Sequence, residues 1–206
     1  MNLPNKLSLT RIILIPFLIV ALVVGGAHSE NPGVIAWCRL TALLLFVAGA
    51  LTDWYDGKIA RERNLVTDLG ALIDPLADKL LVVGTFVVLI ELEVYASWLI
   101  VVILSREFLV TGLRMLAASK GVVMSADKWG KHKTAWQMAT IITALVVVTA
   151  REFARAAGVW EDFAWMNQSA ERLALILTHI PMTVAILLTV LSGSIYLTRN
   201  THLLKE

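Results

Sequence analysis

Cysteine is almost missing from this chain: Cys38 stands alone, which excludes an intramolecular disulfide and most thiolate metal sites. Charge is scarce as well, with Lys, Arg, Asp and Glu making up 17% of the 206 residues and a net charge of only +2. No low-complexity segment, linker or internal repeat interrupts it. Asn2 to Arg11 is polar and no Ala-x-Ala-like site follows the first apolar run, so that run is expected to be a retained helix rather than a cleaved signal. Apolar residues fill the space instead. They make up 58% of the chain, and a mean hydropathy of +0.75 lies outside the ordinary soluble range. A chain this long is too short for two large domains, so a single transmembrane domain over 1–206 is expected.

About 20 apolar residues are needed to cross a bilayer, and six segments approach that length: 8–26, 34–60, 68–91, 95–119, 133–150 and 173–198. Helices satisfy their own backbone in lipid, so the expected class is an all-α integral membrane protein with six transmembrane helices. Gly25-Gly26 and Asn31-Pro32-Gly33 mark turns between the first two. Lys and Arg gather at one side: Lys6 and Arg11, then Lys58, Arg61 and Arg63, then Lys120, Lys128, Lys131 and Lys133, then Arg199 and Lys205. Segments 27–33 and 91–97 have neither. The positive-inside rule therefore puts both termini on the cytoplasmic side, as in a bacterial-type inner membrane. The connection 151–172 dissents mildly with Arg151, Arg155 and Arg172, accompanied by Glu152, Glu161, Asp162 and Glu171, and its Trp160, Phe163 and Trp165 suit the outer interface. Trp37 and Trp98 fall at outer ends, and Trp54, Trp129 and Trp136 near inner ones, as aromatic belts do.

The scarce acidic residues are concentrated. Asp53, Asp56, Asp74 and Asp78 fall within 26 residues. A carboxylate beside lipid is expensive and marks a functional site by default. Four such charges in one pocket would repel by roughly 4 kcal/mol per close pair at an effective dielectric near 20, so a cation must sit among them. Oxygen ligands select a hard divalent ion, Mg²⁺ or Mn²⁺, and four aspartates suit two of them. The second helix runs inward and ends with Asp53 and Asp56. The third runs outward from about Asp68, placing Asp74 and Asp78 roughly 9 and 15 Å along it at 1.5 Å per residue. Spacings of three and four put each pair on one helix face, so both pairs are expected to face each other in the inner half of the membrane. Arg61 to Thr67 is the polar turn, with Thr67 or Asp68 as N-cap of the next helix. Gly57 and Ala60 leave room for a group to approach the backbone, and Pro75 is expected to kink the third helix toward the site. The plainer alternative is a solvated helix–turn–helix with surface aspartates.

These residues resemble the signature of the CDP-alcohol phosphotransferases, Asp-x2-Asp-Gly-x2-Ala-Arg-x8-Gly-x3-Asp-x3-Asp, at all eight defined positions from Asp53 to Asp78. Pro4-Asn5-x-x-Ser8-x-x-Arg11 is similar to that family's amino-terminal element. Ser105-Arg106-Glu107-Phe108-Leu109-Val110-Thr111-Gly112-Leu113-Arg114 and Gly130-Lys131-His132-Lys133-Thr134-Ala135-Trp136-Gln137 resemble the branch whose acceptor is sn-glycerol 3-phosphate.

The resemblance implies the CDP-alcohol phosphotransferase fold and a homodimer in membrane lipid, with no nucleic-acid partner. It also implies transfer of a phosphatidyl group from CDP-diacylglycerol to sn-glycerol 3-phosphate, giving phosphatidylglycerol phosphate and CMP. Asp53, Asp56 and Asp74 would be metal ligands, and Asp78 both ligand and general base. Gly57, Ala60, Arg61 and Thr67 would line the nucleotide, with Asn5 reaching the same headgroup. A dianionic acceptor needs a basic pocket, for which Arg106 and Arg114 on the fourth helix and Lys131 and Lys133 at the start of the fifth are the candidates. Lys131 and Lys133 also have a plainer reading as topology-setting, headgroup-contacting charges. Arg106 needs a partner, either Glu107 or substrate phosphate.

Elsewhere the expectations are structural. Lys79 should form an interhelical ion pair or snorkel, His132 should be interfacial, and His179 should sit at a kink before Ile180-Pro181. His28 and His202 should be solvated, and Cys38 should fill apolar space. Ala48-Gly49-Ala50 and Ser192-Gly193-Ser194 would let helices approach closely. Rival functions remain open: serine or inositol phosphate as acceptor, an intramembrane prenyltransferase, or a cation transporter. The last predicts acidic groups in both membrane halves, whereas the aspartates cluster in one.

Overall fold

The computed structural model describes residues 3–27, 30–62, 68–121, 128–159 and 164–200, with side chains over 7–23, 30–53, 73, 76–121, 132–159 and 168–200. Among these residues there are six helices and no strand: α1 Leu3–Ala27, α2 Pro32–Glu62, α3 Asp68–Glu91, α4 Ser97–Ser119, α5 Lys128–Ala156 and α6 Ala164–Arg199. Local chemistry sets several boundaries. Asn31 caps α2: its side chain accepts the Gly33 N–H at 2.9 Å, its carbonyl accepts Ile35 N–H at 3.2 Å, and Pro32 opens the helix where no donor is needed. α3 ends in a tight turn in which Glu93 takes a left-handed φ of 57° and Val94 N–H returns to Leu89 O.

The helices form a ring. α1 packs on α2 and α3, α2 on α5, α5 on α6 and α6 on α4, while α3 touches α4 to close the circuit. α2 and α3 follow one another in sequence, yet among the described residues they meet only narrowly. One apolar cluster fills the interior, with Leu18 and Leu22 of α1, Phe46 of α2, Leu81, Phe86 and Leu89 of α3, Ile141 and Leu145 of α5 and Met182 of α6.

The outer surface is hydrocarbon. Phe17, Leu44, Leu51, Phe108, Met115 and Leu187 are all exposed, Phe108 by 69%, which suits contact with lipid. Among the described residues, three helices are long and apolar enough to cross a membrane, within Pro32–Asp53, His132–Ala156 and Gln168–Arg199, and Leu7–Val23 is a shorter apolar run. Asp74, Asp78 and Lys79 interrupt α3, and Arg106, Glu107 and Arg114 interrupt α4. The chain is an all-helical membrane protein, but two of its six expected spans give up hydrophobicity to carry charge inward.

The far end differs from expectation. The segment 151–172 is not a connection: α5 runs on to Ala156 and α6 starts at Ala164. Arg151, Glu152 and Arg155 are tolerated in a helix, and no breaker intervenes before Gly158, whose φ of +74° ends the run. Arg155 pairs with Glu152 at 3.2 Å, and Arg151 with Glu171 of α6 at 3.7 Å. Glu152 is buried, so the end away from Asp53 and Asp78 also holds a carboxylate, paired with Arg155 and near the buried Arg39, which donates to the Leu22 carbonyl. Tyr95 ties this end together. Its hydroxyl lies 3.3 Å from Thr140 O of α5 and 3.1 Å from Thr178 O of α6, and its ring meets Phe86 and His179 edge-on. His179 is therefore packed on an aromatic ring, with Nδ1 3.0 Å from Leu175 O, as a residue near the Pro181 break would be. A pocket of about 550 Å³ between α5, α6 and the α3–α4 turn, lined by Val94, Val147, Arg151, Glu171 and Leu175, lies at this end, away from the aspartates.

Candidate active site

At the other end, five helices bring charged side chains to one centre, and α6 packs against it at Gly193. α2 brings Asp53, and α1 brings Arg11 to meet it: Arg11 Nη1 donates to Asp53 Oδ1 at 2.6 Å, with the arginine side chain 1% exposed and the aspartate 41%. Gly49, one turn before Asp53, lies at this crossing. A Cβ there would lie 3.2 Å from Leu81 Cδ2 and 3.8 Å from Arg11 Cγ, so the bare backbone is where α1 and α3 side chains cross α2. Sequence reading counted Arg11 among the charges at the cytoplasmic end; the fold buries it. The hint was its place three residues after Ser8, which is also fully buried on the same face.

α3 supplies Asp78, whose charged neighbours are Asp53, Arg11, Lys133 and Lys79. The two carboxylates thus converge from different helices, as the spacing predicts. Lys79 reaches α4 as an interhelical contact, but its bond is to the Thr111 hydroxyl, at 3.1 Å, rather than an ion pair.

α4 and α5 build the basic side. Lys133 is 3% exposed and pairs with Glu107, and Arg106 lies 3.7 Å from the same carboxylate oxygen. Lys133 also feels the charges of Asp78 and Arg106, so it stands between the acidic pair and the basic one. Arg106 is threaded across α6 at Gly193, where a Cβ would come within 3.0 Å of Arg106 Cγ. Arg114, two turns along α4, is exposed and sits apart from this group: its Nε donates to Tyr196 Oη at 3.3 Å, and its guanidinium lies 5.8 Å from the centre of that ring. Glu107 as a counter-ion shared by two cations, and the Gly193 and Tyr196 contacts, escaped sequence reading because they depend on where α5 and α6 fall.

The side chains of Asn5, Asp56, Gly57, Ala60, Arg61, Asp74 and Lys131 lie outside the described residues, as does Thr67 as a whole. Their helices are described: Asp56 lies on α2 one turn beyond Asp53, and Asp74 on α3 one turn before Asp78. Among the described residues no three His, Cys, Asp or Glu side chains gather as a metal cluster. Asp53 and Asp78 are nevertheless near enough for Asp78 to feel the Asp53 charge, and Arg11 hydrogen-bonds Asp53. That donor set fits a hard divalent cation.

A bundle of membrane helices with Asp53 and Asp78 at one end, set beside Arg106 and the buried Lys133, is suited to divalent cations and phosphate esters. The chain belongs to the CDP-alcohol phosphatidyltransferase family, whose pattern it matches over residues 1–191. It is similar to a Bacillus subtilis (strain 168) protein named CDP-diacylglycerol–glycerol-3-phosphate 3-phosphatidyltransferase, at 35% identity over 207 residues, covering 99% of this chain and 97% of that one. A protein of the same name from Rickettsia felis is 39% identical over 137 residues, 66% of this chain and 71% of its own. A Mycobacterium tuberculosis protein named probable phosphatidylglycerophosphate synthase is 37% identical over 140 residues, 68% of this chain and 64% of its own. Family membership sets aside the prenyltransferase and transporter readings.

Proposed function

We propose that the protein transfers the phosphatidyl group of CDP-diacylglycerol to the C1 hydroxyl of sn-glycerol 3-phosphate, releasing CMP and forming phosphatidylglycerol phosphate. The observation that carries this reading is Lys133, buried against Glu107 beside Arg106 and close enough to Asp78 to feel its charge. One chain segment thereby joins a carboxylate suited to proton abstraction and a cationic pocket suited to a phosphate dianion. Serine and inositol phosphate find no support in the names of the relatives.

Asp53, Asp56, Asp74 and Asp78 would hold a divalent cation, Mg²⁺ or Mn²⁺ and two in number, which when bound supplies positive charge to the pyrophosphate oxygens of the nucleotide. Arg11 holds Asp53 in place from beneath. Arg106 and Lys133, with Lys131 and with Arg114 further along α4, draw in the acceptor's phosphate. Arginine grips it through a planar fork and lysine through a point charge. Asp78 takes the proton from the C1 hydroxyl as that oxygen attacks the β-phosphorus in line. A new O–P bond forms, the bond to the CMP oxygen breaks, and CMP leaves as an anion. Asn5, Gly57, Ala60, Arg61 and Thr67 border the cytidine and its phosphates. The site belongs to the cytoplasmic half of a bacterial-type inner membrane, with both termini on that side and the chain working as a homodimer; the Lys and Arg distribution supports the orientation.

The test is CMP release by the purified protein from CDP-diacylglycerol with a panel of alcohols, with and without chelator. Release that needs glycerol 3-phosphate and stops with chelator is expected. Release with serine or an inositol phosphate in place of glycerol 3-phosphate overturns the acceptor assignment.

A further inference from the structure

Glu107 is the feature that this account leaves without a task. A basic pocket meant for a phosphate dianion already contains a carboxylate, paired with the most deeply buried lysine of the site and shared with its arginine. Two cations and one anion leave a single positive charge to attract a ligand. A bound phosphate dianion and the Glu107 carboxylate would together bring three negative charges against two positive ones, in a setting where close like charges repel strongly. Both cannot keep the same partners.

We propose that Glu107 is a specificity-determining residue: it occupies the acceptor-phosphate position as an internal anion, and the acceptor must displace it from Lys133 and Arg106 to bind. This rests on the reading that the pocket receives the acceptor's phosphate. The chemical consequence is a filter by charge. A phosphomonoester dianion brings twice the charge of the carboxylate and three oxygens to its two, so it wins both cations. A neutral polyol or a zwitterionic alcohol offers nothing that outcompetes a carboxylate already in contact, and finds the pocket closed. Glu107 has room to leave: its side chain is 24% exposed, while Lys133 beneath it is held by burial and Arg106 by its passage across Gly193. The cations stay and the anion exchanges.

Purified Glu107→Gln, compared with the natural protein, tests this in two ways. At saturating CDP-diacylglycerol, its KM for glycerol 3-phosphate should fall about twofold to fivefold, the range expected on removing a partly exposed competing ion pair, with the KM for CDP-diacylglycerol unchanged. Without nucleotide, inorganic phosphate should raise its thermal midpoint by more than it raises that of the natural protein, because tighter binding to the folded state shows as added stability. An unchanged or higher KM, or a smaller phosphate response, overturns the proposal. If Glu107→Gln fails to fold, Glu107→Asp, which withdraws the carboxylate by one methylene, is read by the same two criteria. Lys133→Gln separates this inference from the reading beneath it. A raised glycerol 3-phosphate KM in Lys133→Gln, alongside a raised one in Glu107→Gln, defeats displacement alone. An unchanged KM in Lys133→Gln defeats the pocket assignment and displacement with it.

Discussion

Arg11 of α1 and Asp53 of α2 are joined by a 2.6 Å hydrogen bond across 42 residues of sequence, with the guanidinium fully enclosed. The first helix is thereby fastened to the first residue of the aspartate signature. Substituting Arg11→Ala removes a charge-assisted bond and leaves Asp53 to face Asp78 without its counter-charge. The expected loss is about 2 kcal/mol of stability, read by thermal unfolding in detergent, and a fall in turnover, with Arg11→Lys intermediate in both. Full activity in Arg11→Ala would remove Arg11 from the site.

Asp78→Asn keeps the shape of the side chain and abolishes its capacity to take a proton. Turnover should drop by about 10²- to 10⁴-fold, the usual weight of a general base, a larger loss than that in CDP-diacylglycerol affinity, which falls only through the weakened cation site. Equilibrium binding of the lipid nucleotide alongside CMP release separates the two. Near-normal turnover would move the base elsewhere.

Gly193→Ala places a methyl group 3.0 Å from Arg106 Cγ. Alanine ordinarily gains up to about 1 kcal/mol over glycine inside a helix, so a neutral site would show a higher thermal midpoint. Here that gain should be cancelled by the displaced arginine, and the glycerol 3-phosphate KM should rise without change in the KM for CDP-diacylglycerol. A stabilised variant with natural kinetics would mean that Arg106 is free to move aside.

Arg114→Ala should raise the glycerol 3-phosphate KM or lower turnover while leaving CDP-diacylglycerol affinity in place. Tyr196→Phe, which removes the hydroxyl that holds Arg114 at 3.3 Å, should produce a weaker version of the same effect. Equal loss of affinity for both substrates contradicts the acceptor role.

Tyr95→Phe tests the opposite end. Losing a hydroxyl bonded to two carbonyls should cost about 1 kcal/mol of stability. The KM values for both substrates should stay as they are, because Tyr95 lies far from the aspartates. Altered kinetics would show that the two ends are coupled.

Much of this architecture can be read from the chain because the bilayer restricts the choices. α3 begins and ends at the residues its hydropathy predicts, Asp68 and Glu91, and the four aspartates announce a site by their cost in lipid. Misreading began where polarity ceased to mean surface. Arg151, Glu152 and Arg155 look like a loop, yet they continue α5 because nothing breaks the helix before Gly158 and their charges find partners at once. Arg11 looks like a topology signal because its partner lies on another helix. Glu107 was visible as a neighbour of Arg106, but its bond to Lys133 needs α5 beside α4, a relation that no local pattern encodes.

The clasp that Tyr95 makes with Thr140 and Thr178 limits how the bundle can open. Parting α5 from α6 at this end has to break that bond first.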